Sequence, residues 1–537
     1  MEIGEPNSSP DFDVIVCGGS IAGASTALLL LRRQPSLRVA IIEKSTKFAQ
    51  RVGEATVEVS AYFLSKVLGL TQHLNENHLA KQGMRFWFSD DSVKNLSDCG
   101  EMGGRYLARL PSWQLDRSVL DEETLRLAVA AGATLYRPAK AIEVNLCAGG
   151  VQVVTVEGEF APKSLSSRWV IDASGFTALL ARKQGWFRRN QDHPTAAIWV
   201  RWKGVKDLDG REFADKYPRW FDACRGIRST ATNHLMGYGW WSWWIPLKGG
   251  YTSIGVVYDQ RIVKPAGGPD PGTRLKTFLE NRHPFAREML ADAIWVEGDG
   301  HYRANLAFSS TTTAGDGFAL VGDAAGFIDP FYSPGLDWLS YTVIRAVELV
   351  AAERASDPGL KLDAEIQRHN RDFRRSYERW FEAIYSGKYE YMGDFELFRT
   401  AFPLDLGMYY LGIVSQPMKH GNRAFLNPPF ADASSRIPFF LIRTYHRRLV
   451  QMARSRINRG VYGLHNSRQR FFLNGYLPEN STAWPLARAM LRWIRLELKE
   501  GWRTWAVRQT VPVSVQPEPL APAQAPLTDG GSKTVRA

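Results

Sequence analysis

The residues best suited to chemistry begin within the first twenty-odd positions. Asp13–Cys17 carries the continuous apolar run Val14-Ile15-Val16, expected of a strand covered on both faces of a parallel sheet. Gly18, Gly19, Ser20 and Gly23 then impose a tight turn, and Ala22–Leu31 reads as an apolar helix. The N–H groups around Ser20, Ile21, Ala22 and Gly23 are placed to meet a pyrophosphate. A second strand, Arg38–Ile42, ends at Glu43 and Lys44, and a carboxylate there accepts a ribose hydroxyl. An acid in that place suits an unphosphorylated ribose, so FAD or NAD fits better than NADP. Read as G-x-G-x-x-G, the pattern departs at its middle glycine, where Ser20 stands. A second candidate lies far downstream. Gly322-Asp323 follows the apolar strand Gly317–Val321 and precedes a helix, where an aspartate can accept from a ribityl hydroxyl.

Other elements must bring these segments together. Val57–Leu68 reads as helix, Leu79–Phe88 as a strand, and a helix is expected from Ser118 as N-cap through Ala131. Short strands are expected at Ala133–Tyr136, Ala141–Leu146 and Val151–Val156, and a buried one at Trp169–Gly175. Ile198–Trp202, Trp240–Ile245 and Thr252–Val257 form a separate aromatic-rich sheet. Leu336–Ala355 reads as a long helix, and Lys361 onward as mostly helical. The fold class is α/β: a doubly wound FAD-binding domain with an inserted mixed sheet and a helical C-terminal region. The expected divisions are a flexible N-terminus at 1–10, a core over 11–355 with its substrate sheet at roughly 190–300, a helical cap over 361–508 and a Pro/Ala-rich disordered tail at 511–537.

The chain has 537 residues, 45% of them hydrophobic, with 18 Trp and 27 Phe. Such an aromatic load suits a broad apolar substrate face. The four cysteines show no metal spacing, no metal site is expected, and a reduced cytoplasmic protein is the simple reading. No signal pattern opens the chain and no run of about 18 apolar residues occurs, so no membrane span is expected. The net charge of +12 is concentrated in Arg443, Arg447, Arg448, Arg454, Arg456 and Arg459. That stretch reads either as a solvated helix face or as a dock for an acidic carrier protein or membrane surface; no nucleic-acid module accompanies it.

Three motifs together carry a family resemblance. Gly18–Gly23, Asp172-Ala173-Ser174-Gly175 and Gly322-Asp323 resemble the FAD signatures of aromatic-hydroxylase-type flavin monooxygenases, and Arg117 resembles that group's arginine near the flavin. Within that group, Trp241-Ser-Trp243-Trp-Ile245-Pro246 and Phe327-Ile-Asp-Pro330-Phe-Tyr-Ser333-Pro334-Gly335 are similar to the WxWxIP and FxxPxxSxG signatures of flavin-dependent halogenases. Gly53-Glu54-Ala55-Thr56 resembles their G-E-A-T segment, and Lys81, ahead of a strand, resembles their catalytic lysine. Tryptophan-type members place Glu before the motif serine; here Tyr332 stands there, which points toward phenol, pyrrole or carrier-bound aromatic substrates.

The resemblance implies these roles. Trp241, Trp243, Ile245 and Pro246 shield the flavin, while Ser333, Pro334 and Gly335 hold halide beside it. Pro330, Gly335 and Leu336 border the ring system, with Glu54, Ala55 and Thr56 near it. Ser333 and Lys81 are the catalytic pair. Apart from the resemblance, Asp337 reads as a second acid in the site or, preferred, as a helix-start carboxylate. The implied enzyme is an FAD-dependent halogenase of specialised, antibiotic-type metabolism that uses O2 and chloride or bromide. No second dinucleotide motif occurs, so FADH2 comes from a separate reductase. Two other readings stand beside it: a halide-independent monooxygenase or dehydrogenase on the same scaffold, and a non-catalytic flavin-bound carrier-protein module. The oligomeric state is left open.

Overall fold

A computed structural model describes residues 9–506 except 160, 225, 354–357 and 475. The expected tail at 511–537 and nearly all of the expected flexible N-terminus lie outside the described residues. The nucleotide-binding sheet runs in the order Ala314–Gly315, Phe318–Leu320, Ser164–Asp172, Phe12–Cys17, Val39–Ile42 and Thr134–Tyr136. All neighbours after the first pair are parallel. Val14, Ile15 and Val16 are fully buried, as their unbroken apolar run requires. Helix Ile21–Arg33 packs against helices Arg117–Ala130 and Gly335–Glu353 on one side of this sheet. The doubly wound reading is borne out.

The helix expected from Ser118 begins one residue earlier, at Arg117. Asp116 is its cap, accepting from the Ser118 N–H at 2.9 Å. The stretch expected as a single strand at Leu79–Phe88 is two, Leu79–Ala80 and Met84–Phe88. Gly83 breaks it at φ +74°, a left-handed conformation open to glycine at little cost.

The second sheet is mixed. It runs Ile294–Trp295, Thr195–Lys203, Tyr251–Asp259, Trp240–Leu247, Thr232–Gly237, Met84–Phe88, Gly100–Gly104 and Arg470–Leu473, with His301–Ala304 pairing beside Thr195–Lys203. It draws strands from the 80s, the 100s and the 470s as well as from the aromatic segments. This stitches the C-terminal region to the strand that follows Lys81. Of the later helices, Phe395–Tyr409 packs on this sheet with Phe398 and Phe402 against Phe86, while Pro358–Trp380 and Gly421–Leu426 pack on helix Gly335–Glu353.

The basic stretch lies on helix Arg436–Asn458 and is spent within the chain. Arg443 and Arg447 pair with Glu382, Arg448 with Glu497 and Arg454 with Glu390. Arg456 joins Asp394, Glu396 and Glu500, and Arg459 also meets Glu500. Each of the six arginines is therefore paired within the chain, Arg447 while still exposed. The arginines lace the helical layers together, because their acidic partners are scattered over four other helical segments.

Candidate active site

Three distant segments meet at the carboxyl ends of adjacent parallel strands. Cys17 pairs with Asp172 and Asp172 with Leu320. The Ala173 N–H donates to Cys17 O at 3.0 Å and the Val321 N–H to Asp172 O at 3.0 Å. The Gly18, Ala173–Gly175 and Gly322-Asp323 turns therefore open on one edge, as a nucleotide site requires. Gly18 sits at φ +113°, and a Cβ on it would lie 2.5 Å from Ala173 O, so the turn admits no side chain there.

Glu43 ends its strand with one carboxylate oxygen accepting the Gly19 N–H at 2.8 Å and the other the Ser45 N–H at 2.9 Å. Lys44 is exposed just beyond. Ser20, the residue out of pattern, turns its hydroxyl to Asp121 at 2.6 Å. Asp121 is fully buried and also pairs with Arg117 at 3.0 Å. The serine is thus absorbed by a neighbouring ion pair instead of obstructing the approach to the helix N-terminus. Asp121 was not singled out from sequence; as one acid among three at a helix start it carried no distinguishing signal.

The residues present fit FAD. No side chain caps the first turn of Ile21–Arg33, and a Cβ on Gly175 would meet nothing within 4 Å. Asp323 accepts no hydrogen bond among the described residues, and burial lifts its carboxyl to about 6 despite the nearby Arg117 and Arg303 guanidiniums. An unsatisfied, half-buried carboxylate beside that opening is what a ribityl hydroxyl completes. Glu54 pairs its carboxylate with Arg201 at 2.8 Å in a fully buried bridge that anchors its loop. Ala55 bridges to Gln114.

Lys81 lies in the break between the two short strands. Its backbone N–H donates to Ser112 O at 2.8 Å and the Gln82 N–H to Thr230 O at 3.0 Å, so the chain is fixed on both sides. Its side chain is only 3% exposed, and Nζ donates to Thr56 O at 2.8 Å. Burial lowers its ammonium to about 8, with Glu58 and Asp337 opposing that shift. A cavity of about 1290 Å³ has Lys81, Thr56, Tyr332, Pro334 and Asp337 in its wall. The lysine therefore faces an interior chamber that it shares with the FxxPxxSxG loop.

That loop is held in an uncommon conformation. Tyr332 and Ser333 are both left-handed, at φ +70° and +55°. The Ser333 N–H closes the turn on Pro330 O at 2.9 Å. Helix Gly335–Glu353 then begins, and the start of a helix favours an anion. A Cβ on Gly335 would meet nothing within 4 Å, and Leu336 is buried behind it.

The tryptophans form the wall behind this loop. Trp241 meets Phe331 edge-on at 4.9 Å and Trp243 at 6.0 Å. The Trp241 indole donates to the Tyr389 hydroxyl at 2.8 Å, and that hydroxyl donates to Asp329 at 2.8 Å. Ile245 and Pro246 continue the same strand, Trp240–Leu247.

One feature went unread in the sequence, and a second was weighed there but not preferred. Tyr332, where an acid was looked for, donates to Asp405 at 3.0 Å, and Asp405 pairs with the fully buried Lys388 at 2.8 Å. Asp405 is brought against the loop from helix Phe395–Tyr409. Asp337, weighed as a second acid of the site but preferred as a helix-start carboxylate, does sit in the first turn of its helix. It is also buried in the cavity wall, accepting from the Ser60 N–H at 2.9 Å and the Tyr409 hydroxyl at 3.2 Å. Burial raises its carboxyl to about 7. A group that holds a proton near neutrality, beside a lysine near 8, can accept and return protons.

A profile of the Tryptophan halogenase family matches residues 13–104 and 105–387. The chain belongs to that family. Among its relatives, the flavin-dependent halogenase chlA of Dictyostelium discoideum is 28% identical over 371 residues, covering 63% of this chain and 60% of that protein. Monodechloroaminopyrrolnitrin halogenase PrnC of Pseudomonas fluorescens is 26% identical over 408 residues, covering 68% of each. The match thus spans about three-fifths of the amoebal relative's length. The crystal structure of halogenase PltM shares the fold with a TM-score of 0.69 at 20% identity, over 90% of this chain and 96% of that one. The flavin-dependent brominase Bmp2 superposes with a TM-score of 0.58 at 20% identity, over 81% and 98%. No helix among the described residues of this Tryptophan halogenase family member is long and apolar enough to cross a membrane.

Proposed function

We propose that the protein is an FAD-dependent halogenase acting on an electron-rich aromatic or similarly activated carbon of a specialised metabolite. The observation that carries this reading is the burial of Lys81 in a chamber shared with the Ser333–Gly335 loop. A lysine serving only as a surface charge has no reason to sit at 3% exposure with its ammonium on a backbone carbonyl.

Bound as reduced FAD between the Gly18, Gly175 and Asp323 turns, the cofactor would supply the two electrons with which O2 and halide become hypohalous acid and water. The protein's residues do the rest. The Ser333 hydroxyl and the opening N–H groups of helix Gly335–Glu353 hold halide, and Trp241 and Trp243 keep the organic substrate away from the ring system. The Lys81 ammonium donates to the hypohalous oxygen. As the ring carbon bonds to halogen, the oxygen–halogen bond breaks with its electron pair on oxygen, which takes the Lys81 proton and leaves as water. Asp337 accepts the proton displaced from the ring carbon. Reduced flavin comes from a separate reductase, and the free cysteines fit a cytoplasmic setting. Tyr332 in place of glutamate favours a phenol or pyrrole over free tryptophan.

The test supplies the protein with FAD, a flavin reductase, O2 and chloride or bromide, then reads product masses from an aromatic library. Halogen isotope patterns that follow the halide supplied support the reading. Hydroxylated or desaturated products indifferent to halide, or no turnover with any substrate, reject it in favour of the two other uses of the scaffold.

A further inference from the structure

The cavity extends far beyond the Lys81 end. Phe395–Tyr409, Tyr410–Val414 and Ser415–His420 follow one another without interruption as one helical rod. Along this rod Phe402, Leu406, Tyr409, Ile413, Gln416 and Lys419 all line the chamber. Their spacing of three and four residues places them on one face. At 1.5 Å of rise per residue, that face runs roughly 25 Å from Phe402 to Lys419. Tyr409 marks the reactive end through its bond to Asp337 at 3.2 Å, and Lys419 lies roughly 15 Å further along. The volume of about 1290 Å³ exceeds the roughly 300–1,000 Å³ of ordinary small-molecule pockets.

The two ends differ chemically. Trp380, Ile384, Phe430 and Ile442 contribute apolar lining together with Leu406 and Ile413. At the mouth Arg109, Lys419 and Arg423 are exposed, and none of the three makes an ion pair or hydrogen bond among the described residues. Their freedom stands out because the neighbouring arginines of helix Arg436–Asn458 are consumed by internal carboxylates. Asp432, an acid on the same rim, is engaged by Ser434 and Ser435.

We propose that the substrate is an elongated amphipathic small molecule whose electron-rich ring enters first, whose apolar chain lies along the Phe402–Lys419 face, and whose carboxylate or other oxyanion stays at the mouth on Arg109, Lys419 and Arg423. This deepens, and rests on, the halogenase reading of the Lys81 end. The three cations select the anion and fix how far the ring reaches; the rod sets the chain length that spans the two ends.

The test uses the full-length FAD-loaded protein and dihydroxyphenyl-alkanoic acids with two, six or ten methylenes, each beside its methyl ester. Calorimetric binding without turnover is measured first, then halogenation with reductase and halide. Affinity is expected to rise more than tenfold from the shortest acid to the longest, since each buried methylene contributes up to roughly fourfold. The esters are expected to bind about tenfold more weakly than the acids at low salt. The triple variant Arg109→Ser, Lys419→Ser, Arg423→Ser should erase the acid–ester difference while melting with the wild type. Affinity independent of chain length, equal binding of acid and ester, or acceptance of the ring only as a carrier-protein thioester overturns the proposal. Binding as described with no halogenated product from any substrate sinks the halogenase reading and leaves the binding geometry standing. Halogenation of short neutral phenols with a flat binding series does the reverse.

Discussion

Tyr332 and Asp405 are joined by a 3.0 Å hydrogen bond that ties the Phe327–Gly335 loop to helix Phe395–Tyr409. Tyr332 holds a left-handed backbone that costs of order 1–3 kcal/mol, so its side chain must be fixed from outside the loop. Asp405 does this while accepting from Lys388 at 2.8 Å, His446 at 2.8 Å and the Tyr445 hydroxyl. These charge partners, Lys388 and His446, hold its carboxyl well below the ordinary range against the burial that opposes them. Asp405→Asn should cost roughly 3–5 kcal/mol of unfolding free energy, because Lys388 is left buried without its counter-charge. Tyr332→Phe should cost only about 1 kcal/mol, yet raise the KM for halide by about tenfold with the affinity for FAD unchanged. Denaturant titration and halide-dependent kinetics check both; unaltered halide dependence in Tyr332→Phe contradicts the anchoring role.

Lys81 gives a stability signature that needs no substrate. Its folded pKa of about 8 lies below the value of 10.5 for a free lysine, so the unfolded chain binds more protons between the two. The penalty of burying the ammonium is fully present below pH 8 and fades as pH rises toward 10.5. At about 1.4 kcal/mol per pKa unit it amounts to roughly 3 kcal/mol. Lys81→Met should therefore be more stable than the wild type at pH 7, by up to that amount, and the advantage should vanish by about pH 10.5. Urea unfolding across this range is the measurement. A variant less stable than the wild type at pH 7 contradicts the burial.

Asp337 and Lys81 together shape the pH profile of kcat/KM. A carboxyl at about 7 must ionise to accept a proton, and an ammonium at about 8 must stay charged to donate one. The profile should be a narrow bell with limbs near those values. Asp337→Asn should lower the rate by roughly 10²–10⁴ and remove the acid limb while keeping the alkaline one. A variant that retains the acid limb removes Asp337 from the proton path.

The nucleotide half was legible because its signals are local: an apolar run, a glycine turn and an acid at a strand end need only neighbouring residues to be recognised. The gapless motifs at Trp241 and Phe327 were legible for the same reason. What escaped was set by contacts across the chain. Asp405 and Lys388 look like ordinary helix residues until Tyr332 is placed against them, 73 and 56 positions away. Asp337 occupies a helix start, where a carboxylate is commonplace, and only its bonds to Ser60 and Tyr409 reveal the chamber behind it. The arginines of helix Arg436–Asn458 suggested a surface because their carboxylates come from helices that the sequence does not align with them.

The central claim is that oxidised halogen reaches the substrate only by way of Lys81. The most direct measurement compares wild type with Lys81→Met, each loaded with FAD and fed by a reductase, for halogenated product and for hypohalous acid trapped outside the protein. The account predicts that the variant still consumes O2 and releases trappable hypohalous acid in a halide-dependent way, with product reduced at least a thousandfold. Halogenated product from Lys81→Met at the wild-type rate would contradict it.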